Sequence, residues 1–441
     1  MKISPLFVFG ILCWGTSTVS AQEKTHLKLE DAVQLAWTKS NEISLATSKV
    51  ATKKYELQAS KNNQYPDLKL SGQYQHLTSA KIDMKSSSGG SGLAAGPVDR
   101  LMLGQVTASV PVFAGFKIQN NIALHDNLYL AETANAVQSK EEIALKVVNY
   151  YASLYKAQKT IEILKENQKR AKQRVVDFID LEKNGIIPRN DLLKSQLQVS
   201  KIQLAIDEAT NNLNIVNFYL VNLLKLDTNT QIEIKESDFV NFQMNNVPSD
   251  ETPALENRKD LEALRFQSKA SQSNIKIARS AYFPSIAILG GYTALELHNV
   301  VSVQNAMNIG VGISYDFTSL LKNDVLVKVA ESKAMEVQNA EAILTDYIKV
   351  QVQKAIEDYQ LAIKQDLVYA EAIDQASENY RIVKDKYDNG LSNTNDLLEA
   401  DVDQLTAKIN KALGKANIIQ KYYELLSVTG QLTSTFNPSK I

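Results

Sequence analysis

The sequence predicts a mainly helical fold with a small β part, built as two copies of one unit. Three observations carry this. First, one turn motif is written twice, as Asn184-Gly185-Ile186-Ile187-Pro188-Arg189-Asn190-Asp191-Leu192-Leu193 and as Asn389-Gly390-Leu391-Ser392-Asn393-Thr394-Asn395-Asp396-Leu397-Leu398. Second, each copy closes a helical pattern, about residues 116–183 and 321–388, that no Gly or Pro interrupts. Third, each long pattern is preceded by two segments of period-two alternation, the signature of half-buried strands. A motif recurring in the same context marks an internal repeat, which constrains a fold more than any single element does.

The first repeat is expected over residues 22–226. Leu27–Lys39 and Asn41–Asn62 read as helices, the latter ending before Tyr65-Pro66. Strands follow at about 67–77 and 103–113. In the first, Leu68, Leu70, Gly72 and Tyr74 alternate with Lys69, Ser71, Gln73 and Gln75. Between them, Ser86–Pro97 is rich in Gly and Ser and reads as a hairpin loop. The long helix over about 116–183 places Val147, Tyr151, Leu154, Gln158, Ile161, Gln168, Ala171, Val175 and Phe178 near a three-four spacing. At ~1.5 Å per residue it is roughly 100 Å long, suited to a coiled coil or a tube wall rather than a compact domain.

Asn-Gly then stops the helix, since glycine takes the left-handed conformation that ends one. Asn190 and Asn395, with Asp191 and Asp396 beside them, are residue types that cap the next helix. That helix runs to about Leu224, and residues 227–256 form a linker with one strand-like piece, Gln231–Lys235.

The second repeat, residues 257–430, retraces the first. It has a helix to Ser280, a Tyr282-Phe283-Pro284 junction and strands at about 285–295 and 307–317. The long helix of about 321–388 follows, with Ile356, Tyr359, Ile363, Ala370, Ile373, Tyr380 and Tyr387 as its buried stripe. A last helix covers about Asn395–Val428, and 431–441 is a tail. Pro66 and Pro284 are 218 positions apart, whereas Gly185 and Gly390 are 205 and Phe113 and Phe317 are 204. The extra residues of the first copy therefore lie between Pro66 and Phe113. An exposed loop at Ser86–Pro97 is where an insertion is tolerated.

Composition narrows the function. The 441 residues carry Lys+Arg 48 against Asp+Glu 49, so no basic face for nucleic acid is expected. The four His are scattered without metal-ligand spacing, and no phosphate-binding glycine loop is present. No Ser/His/Asp arrangement is legible, and the chain reads as neither an enzyme nor a cofactor protein. Residues 1–21 read as a signal peptide: Lys2, an apolar core from Leu6 to Trp14, and Val19-Ser20-Ala21 before Gln22. The only cysteine, Cys13, falls inside that core, where Leu12 is a poor fit to a lipid-attachment box. No later stretch is apolar enough for a membrane helix.

Amphipathic strands in an exported chain without a membrane helix point to a membrane β-barrel, because in lipid only helices and closed barrels satisfy the backbone. Four strands cannot close one, so copies of the chain must pool them. Lys69, Ser71, Gln73, Gln75, Asn308, Ser314 and Asp316 suit a wet lumen. A soluble hairpin lying on a helical bundle is the alternative that alternation leaves open.

The chain resembles the outer-membrane efflux family of TolC-like trimeric exit ducts. Leu27-Lys28-Leu29-Glu30-Asp31-Ala32-Val33-Gln34-Leu35-Ala36 is similar to the family's opening helix, and Val110-Pro111-Val112-Phe113-Ala114-Gly115 to its strand-to-helix junction. Arg258-Lys259-Asp260-Leu261 through Ala281-Tyr282-Phe283-Pro284-Ser285 is similar to the start of its second repeat. The resemblance implies a homotrimer with a twelve-stranded barrel in outer-membrane lipid, a periplasmic helical tunnel, and an equatorial belt formed here by the linker and the C-terminus. It implies two partners, a periplasmic adaptor (membrane fusion) protein and an inner-membrane pump of the RND or ABC type. Tyr387, Asp396 and Glu399 match positions of the periplasmic aperture and gate, and Gly185, Asn190, Asp191, Gly390 and Asn395 the adaptor-docking tips. Ser392 stands where gated members often carry an arginine, so a Tyr–Arg–Asp closing network is not expected to form. The function so implied is a passive exit duct of a tripartite efflux or type I secretion system. A periplasmic coiled-coil adaptor or structural protein without a pore is the alternative, and the two amphipathic strand pairs discriminate against it.

Overall fold

A computed structural model of the chain describes residues 24–80, 98–240, 244 and 247–437. The expected leader 1–21 with Cys13, the loop 86–97 and the last four residues lie outside the described residues. In chain order the elements are β1 (Lys24–His26), α1 (Leu29–Lys39), α2 (Asn41–Asn62), β2 (Asp67–Ala80), β3 (Val98–Ala114), α3 (Lys117–Lys183) and α4 (Arg189–Leu224). Then come β4 (Gln231–Glu233), α5 (Ser237–Val240), α6 (Thr252–Asn257), α7 (Lys259–Arg279), β5 (Ser285–Leu297), β6 (Val301–Ser314), α8 (Ser319–Asp388), α9 (Thr394–Val428) and α10 (Leu432–Phe436). The fold is mainly helical with few strands, as the periodicity predicts.

Two compact units make up the chain: one of Met1–Ser40, Ile143–Val247 and Asp358–Glu424, the other of Asn41–Glu142, Pro248–Glu357 and Leu425–Ile441.

The first unit holds both turn motifs. Val147, Tyr151, Leu154, Ala171 and Phe178 of α3 are buried, as their spacing requires. Leu164 and Ala171 pack with Ile202 and Ile206 of α4. Ile363 of α8 departs from the expected stripe: it is exposed, and Ala362 is buried instead. A strict seven-residue stripe drifts around a 3.6-residue helix, so the buried row of a long helix shifts along its length.

The linker is more structured than its sequence suggests. β4 pairs in parallel with β1, which the sequence reading missed, and α5 follows it. The other edge of β4 is closed by two side-chain amides. Gln158 donates to the Ile232 carbonyl and accepts from Ile234 N–H, while Asn217 donates to the Thr230 carbonyl and accepts from Ile232 N–H. Each amide supplies the donor and acceptor of a peptide group, so a three-residue strand keeps its polar backbone satisfied.

The second unit holds a four-stranded antiparallel sheet in the order β2-β3-β5-β6. Its register sorts side chains by polarity. Leu70 lies opposite Val106, Val106 opposite Tyr292, and Tyr292 opposite Met307; Ile288 faces Val311 and Ile286 faces Ile313. Directly paired residues share a face, so these form one apolar surface, and Leu70, Met307, Ile309 and Ile313 on it are exposed. The opposite face carries Lys69 beside Thr107, Ser71 beside Gln105, and Gly291 beside Asn308, though Leu103 and Leu101 sit opposite Gln73 and Gln75.

β6 begins and ends before the expected 307–317. Asp316 is not a strand residue; its carboxylate accepts from Thr318 N–H in the turn that opens α8. Elsewhere in this unit Ala254, Leu261, Ile348 and Val352 form a buried cluster with Leu255, Leu344, Ile356 and Val428 packed on it. Arg258 ties Asp260, Gln351 and the Val428 carbonyl together at its rim.

Candidate functional site: the paired helix turns

Both long helices end in the same local structure. At the first turn Gly185 N–H bonds the Glu182 carbonyl and Ile186 N–H the Leu181 carbonyl; at the second Gly390 bonds Tyr387 and Leu391 bonds Lys386. These are the paired bonds of a left-handed helix stop, and the glycines sit at φ +70° and +71°. Asn184 and Asn389 each donate a side-chain amide proton to the carbonyl four residues back, of Asp180 and Asp385. The Asn-Gly pair thus satisfies carbonyls that a helix end otherwise leaves open.

The start of the next helix differs between the copies, and here the sequence reading needs correction. Asn190 and Asn395 are not the caps. Pro188 precedes α4 and has no side-chain bond to offer. At α9 the cap is Asn393, whose Oδ1 accepts from the N–H groups of Asn395 and Asp396. Both true caps sit two residues earlier than the Asn in the shared motif.

A hydrogen-bonded chain joins the two turns. Tyr387 stacks on Phe178 with ring centroids 5.8 Å apart. Its hydroxyl lies 3.4 Å from Thr394 Oγ1, which donates to Asp191 Oδ2 at 2.8 Å. Thr394 has one proton and gives it to the carboxylate, so Tyr387 is the donor to Thr394. Asp191 is half-buried and also lies 3.6 Å from Lys194 Nζ. Of the residues assigned to docking, Asp191 is therefore engaged inside the site, whereas Gly185, Asn190, Gly390 and Asn395 are exposed. Asp396 and Glu399 are exposed as well, and the Asp396 carboxylate accepts from Ser392 Oγ at 2.9 Å. Ser392 thus makes a local bond to Asp396, and the Tyr–Thr–Asp chain runs through a residue that the sequence reading did not single out. The available signal was the run Ser392-Asn393-Thr394, where the second copy is polar and the first has Ile187-Pro188-Arg189.

Behind the turns lies a buried ion pair. Arg174 Nη1 reaches Asp401 Oδ2 at 3.2 Å, with side chains 9% and 1% exposed. Asn167 donates to the other Asp401 oxygen and Tyr380 lies 3.4 Å from Arg174 Nη2. Residues of α3, α8 and α9 are thereby locked to one carboxylate. Further along, Lys411 bonds both oxygens of Asp366. Gly414 makes room for that carboxylate, since a Cβ there would overlap Asp366 Oδ1.

Residues 252–431 match the family model for outer membrane efflux proteins. That matched segment, which spans the second repeat and its turn, is what the chain shares with the outer membrane efflux proteins. No curated protein sequence matches the chain. Its fold recurs in solved structures. The outer membrane protein VceC from Vibrio cholerae is 15% identical, with 91% of this chain and 96% of that one covered at a TM-score of 0.76. The CmeC outer membrane channel of Campylobacter jejuni is 16% identical, with 98% and 94% covered at 0.77. The open state of the MtrE outer membrane channel of Neisseria gonorrhoeae is 16% identical, with 92% and 89% covered at 0.75. At such identities the likeness establishes the fold, which the chain shares over nearly its whole length.

Proposed function

We propose that the chain is the outer-membrane exit duct of a tripartite efflux or type I secretion system, a passive conduit from periplasm to outside. The observation that carries this reading is the four-stranded sheet. It has one continuous exposed apolar face and free edges at β2 and β6, while no described helix is long and apolar enough to cross a membrane. A sheet with open edges is not viable in lipid, and three copies supply the twelve strands that close a barrel with a lumen. A periplasmic adaptor without a pore has no use for such a face. Energy then comes from an inner-membrane pump of the RND or ABC type, joined through an adaptor that docks on Gly185, Asn190, Gly390 and Asn395.

Asp396 in the first turn of α9 and Glu399 three residues on are both exposed. In a trimer with converging turns they form a ring of six carboxylates at the aperture, with Tyr387 behind them. Such a ring focuses a negative potential on the passage. Reconstituted in a planar bilayer, the protein should conduct with cation selectivity and be blocked by hexamminecobalt(III) from the turn side. Asp396→Asn with Glu399→Gln should abolish the block. Absence of any conductance from a membrane-extracted oligomer would refute the duct itself; conductance with unchanged block in the double variant would refute only the aperture assignment.

A further inference from the structure

At the junction of the sheet with α3 and α7 lies an open cleft of about 360 Å³, lined by Gly115, Phe116, Gln119, Asn120, Lys276, Arg279 and Phe283. Three rings frame it. Phe113, Phe116 and Phe283 meet edge to face, with centroids 5.3, 6.5 and 6.4 Å apart. Packed aromatic rings are ordinarily buried, yet Phe116 and Phe283 are about half exposed, at 55% and 49%.

The backbone goes out of its way to present them. The register between β3 and β5 shifts between Pro111 and Phe113, which brings Phe113 opposite Ile286. Ile286 faces Ile313, so the extra residue turns Phe113 onto the apolar face of the sheet. Gly115 follows at φ +60°, where a Cβ would lie 2.5 Å from the Ser280 carbonyl oxygen. Phe116 follows at φ +64°, a conformation that costs any residue with a Cβ. Asn120 holds it there, bonding the Phe116 carbonyl through both its backbone and its side-chain N–H. The result is an aromatic wall continuous with the apolar sheet face.

The mouth of the cleft is basic. Arg279 lines the cleft and pairs through Nη2 with Glu331 at 2.7 Å, a contact that uses one of its five donors. Lys276 is exposed, and no acidic group pairs with it among the described residues. Both lie in the last turn of α7, where cations also offset the helix dipole. That role alone calls for neither the exposed rings nor a cleft between them.

Resting on the outer-membrane reading above, we propose that this cleft is a binding site for an anionic phospholipid, its phosphate held by Lys276 and Arg279 and its first acyl segments lying on Phe116 and Phe283. Long cations settle at the boundary of a bilayer with their charge at the headgroups, and the apolar phenylalanine rings beside them suit the adjoining acyl segments. A cation near an anionic headgroup is worth about fivefold in affinity. The site fixes the height of the sheet in the bilayer by gripping one lipid per chain.

The test uses the full mature protein, extracted as its oligomer, stripped of lipid by detergent exchange and examined by native mass spectrometry with added phosphatidylglycerol or phosphatidylcholine. Phosphatidylglycerol should bind preferentially, at one per chain. Lys276→Gln, which breaks no contact, should weaken it about fivefold and leave phosphatidylcholine unaffected; Lys276→Gln with Arg279→Gln should weaken it further. Equal retention of both lipids, or unchanged phosphatidylglycerol binding in an assembled Lys276→Gln oligomer, overturns the proposal while the duct stands. Displacement by millimolar inorganic phosphate also overturns it, since the cleft then holds a free anion. Failure of the wild type to appear in the membrane fraction at all removes the duct and this site together, and is visible before any lipid is added.

Discussion

Thr394 is the residue on which the two turns depend, because its single proton decides the direction of the Tyr387–Thr394–Asp191 chain. Thr394→Val keeps the shape and removes the hydroxyl, leaving Asp191 and Tyr387 each short of a partner. The expected cost is about 1 kcal/mol of local stability, read in the duct proposed above as more frequent opening in a bilayer, with Thr394→Ser restoring wild-type behaviour. Asp401 is a harsher case, since it is 1% exposed and paired with Arg174. Asp401→Ala strands a buried guanidinium and should cost about 3–5 kcal/mol, whereas replacing both partners by apolar residues should cost far less. A double-mutant cycle in thermal unfolding measures the difference.

Glu141 makes a pH prediction. Burial pushes its carboxyl above the ordinary glutamate range, against the opposing bonds from Thr433 and Leu432 N–H and the charge of Lys259. One oxygen accepts from Thr433 N–H at 2.7 Å and the other has no partner among the described residues. A raised folded value means that the protein favours the protonated form, so its stabilising contribution is full at low pH and lost as the pH rises through that value. Glu141→Gln should therefore melt higher than wild type at pH 8, with the gap closing as the pH falls toward the glutamate model value of 4.5. A gap that is constant with pH would show that Glu141 is not the titrating group.

Among the elements, the helix stops allow a graded comparison. Gly185 and Gly390 have open space where a Cβ would be placed, so Ala there costs only the left-handed conformation, roughly 1 kcal/mol each. Gly430 ends α9 with the same pair of bonds at φ +71°, but a Cβ would lie 2.9 Å from the Asn257 backbone. Gly430→Ala should be the most destabilising of the three by differential scanning calorimetry. Lys225 ends α4 in the same way at φ +53°. Lys225→Gly should stabilise the protein by up to about 1 kcal/mol.

These elements also show what the sequence makes legible. Periods of 3.6 and 2 are local properties, and they place α3, α8 and the sheet strands to within a few residues, apart from β6. The Asn-Gly stops are local too. β1 is three residues long and exists only because β4 lies beside it, so no period announces it. The Arg174–Asp401 pair joins residues 227 apart, and nothing near either residue marks it. Asn393 was hidden by the stronger Asn-Asp signal two residues later, and Thr394 acts through Asp191, 203 residues away, where no local pattern reaches.

For the whole molecule, the reading requires copies to meet along β2 and β6. The only cysteine is Cys13, inside the expected leader, so a mature chain offers a clean background for paired cysteines. A scan of β2 positions 69–75 against β6 positions 306–312 should give disulfide ladders ending at three chains. A ladder confined to two would mean a smaller, filled barrel, and none would leave the sheet edges unmated. Deleting Ser86–Pro97 should leave the trimer band intact, because the offset between repeats marks that segment as an addition to a complete hairpin.

The two stops Lys225 and Gly430 stand 205 positions apart, the same spacing as the two turn glycines, and so occupy equivalent places in the two repeats. Both hold the left-handed backbone shape, yet one place carries lysine. The shape alone therefore does not demand glycine at this place in the repeat. At Gly430 the Asn257 backbone adds a second demand, since a Cβ would stand 2.9 Å from it. A doubled plan thus fixes where the chain turns, while the local company of each turn fixes which letters it tolerates.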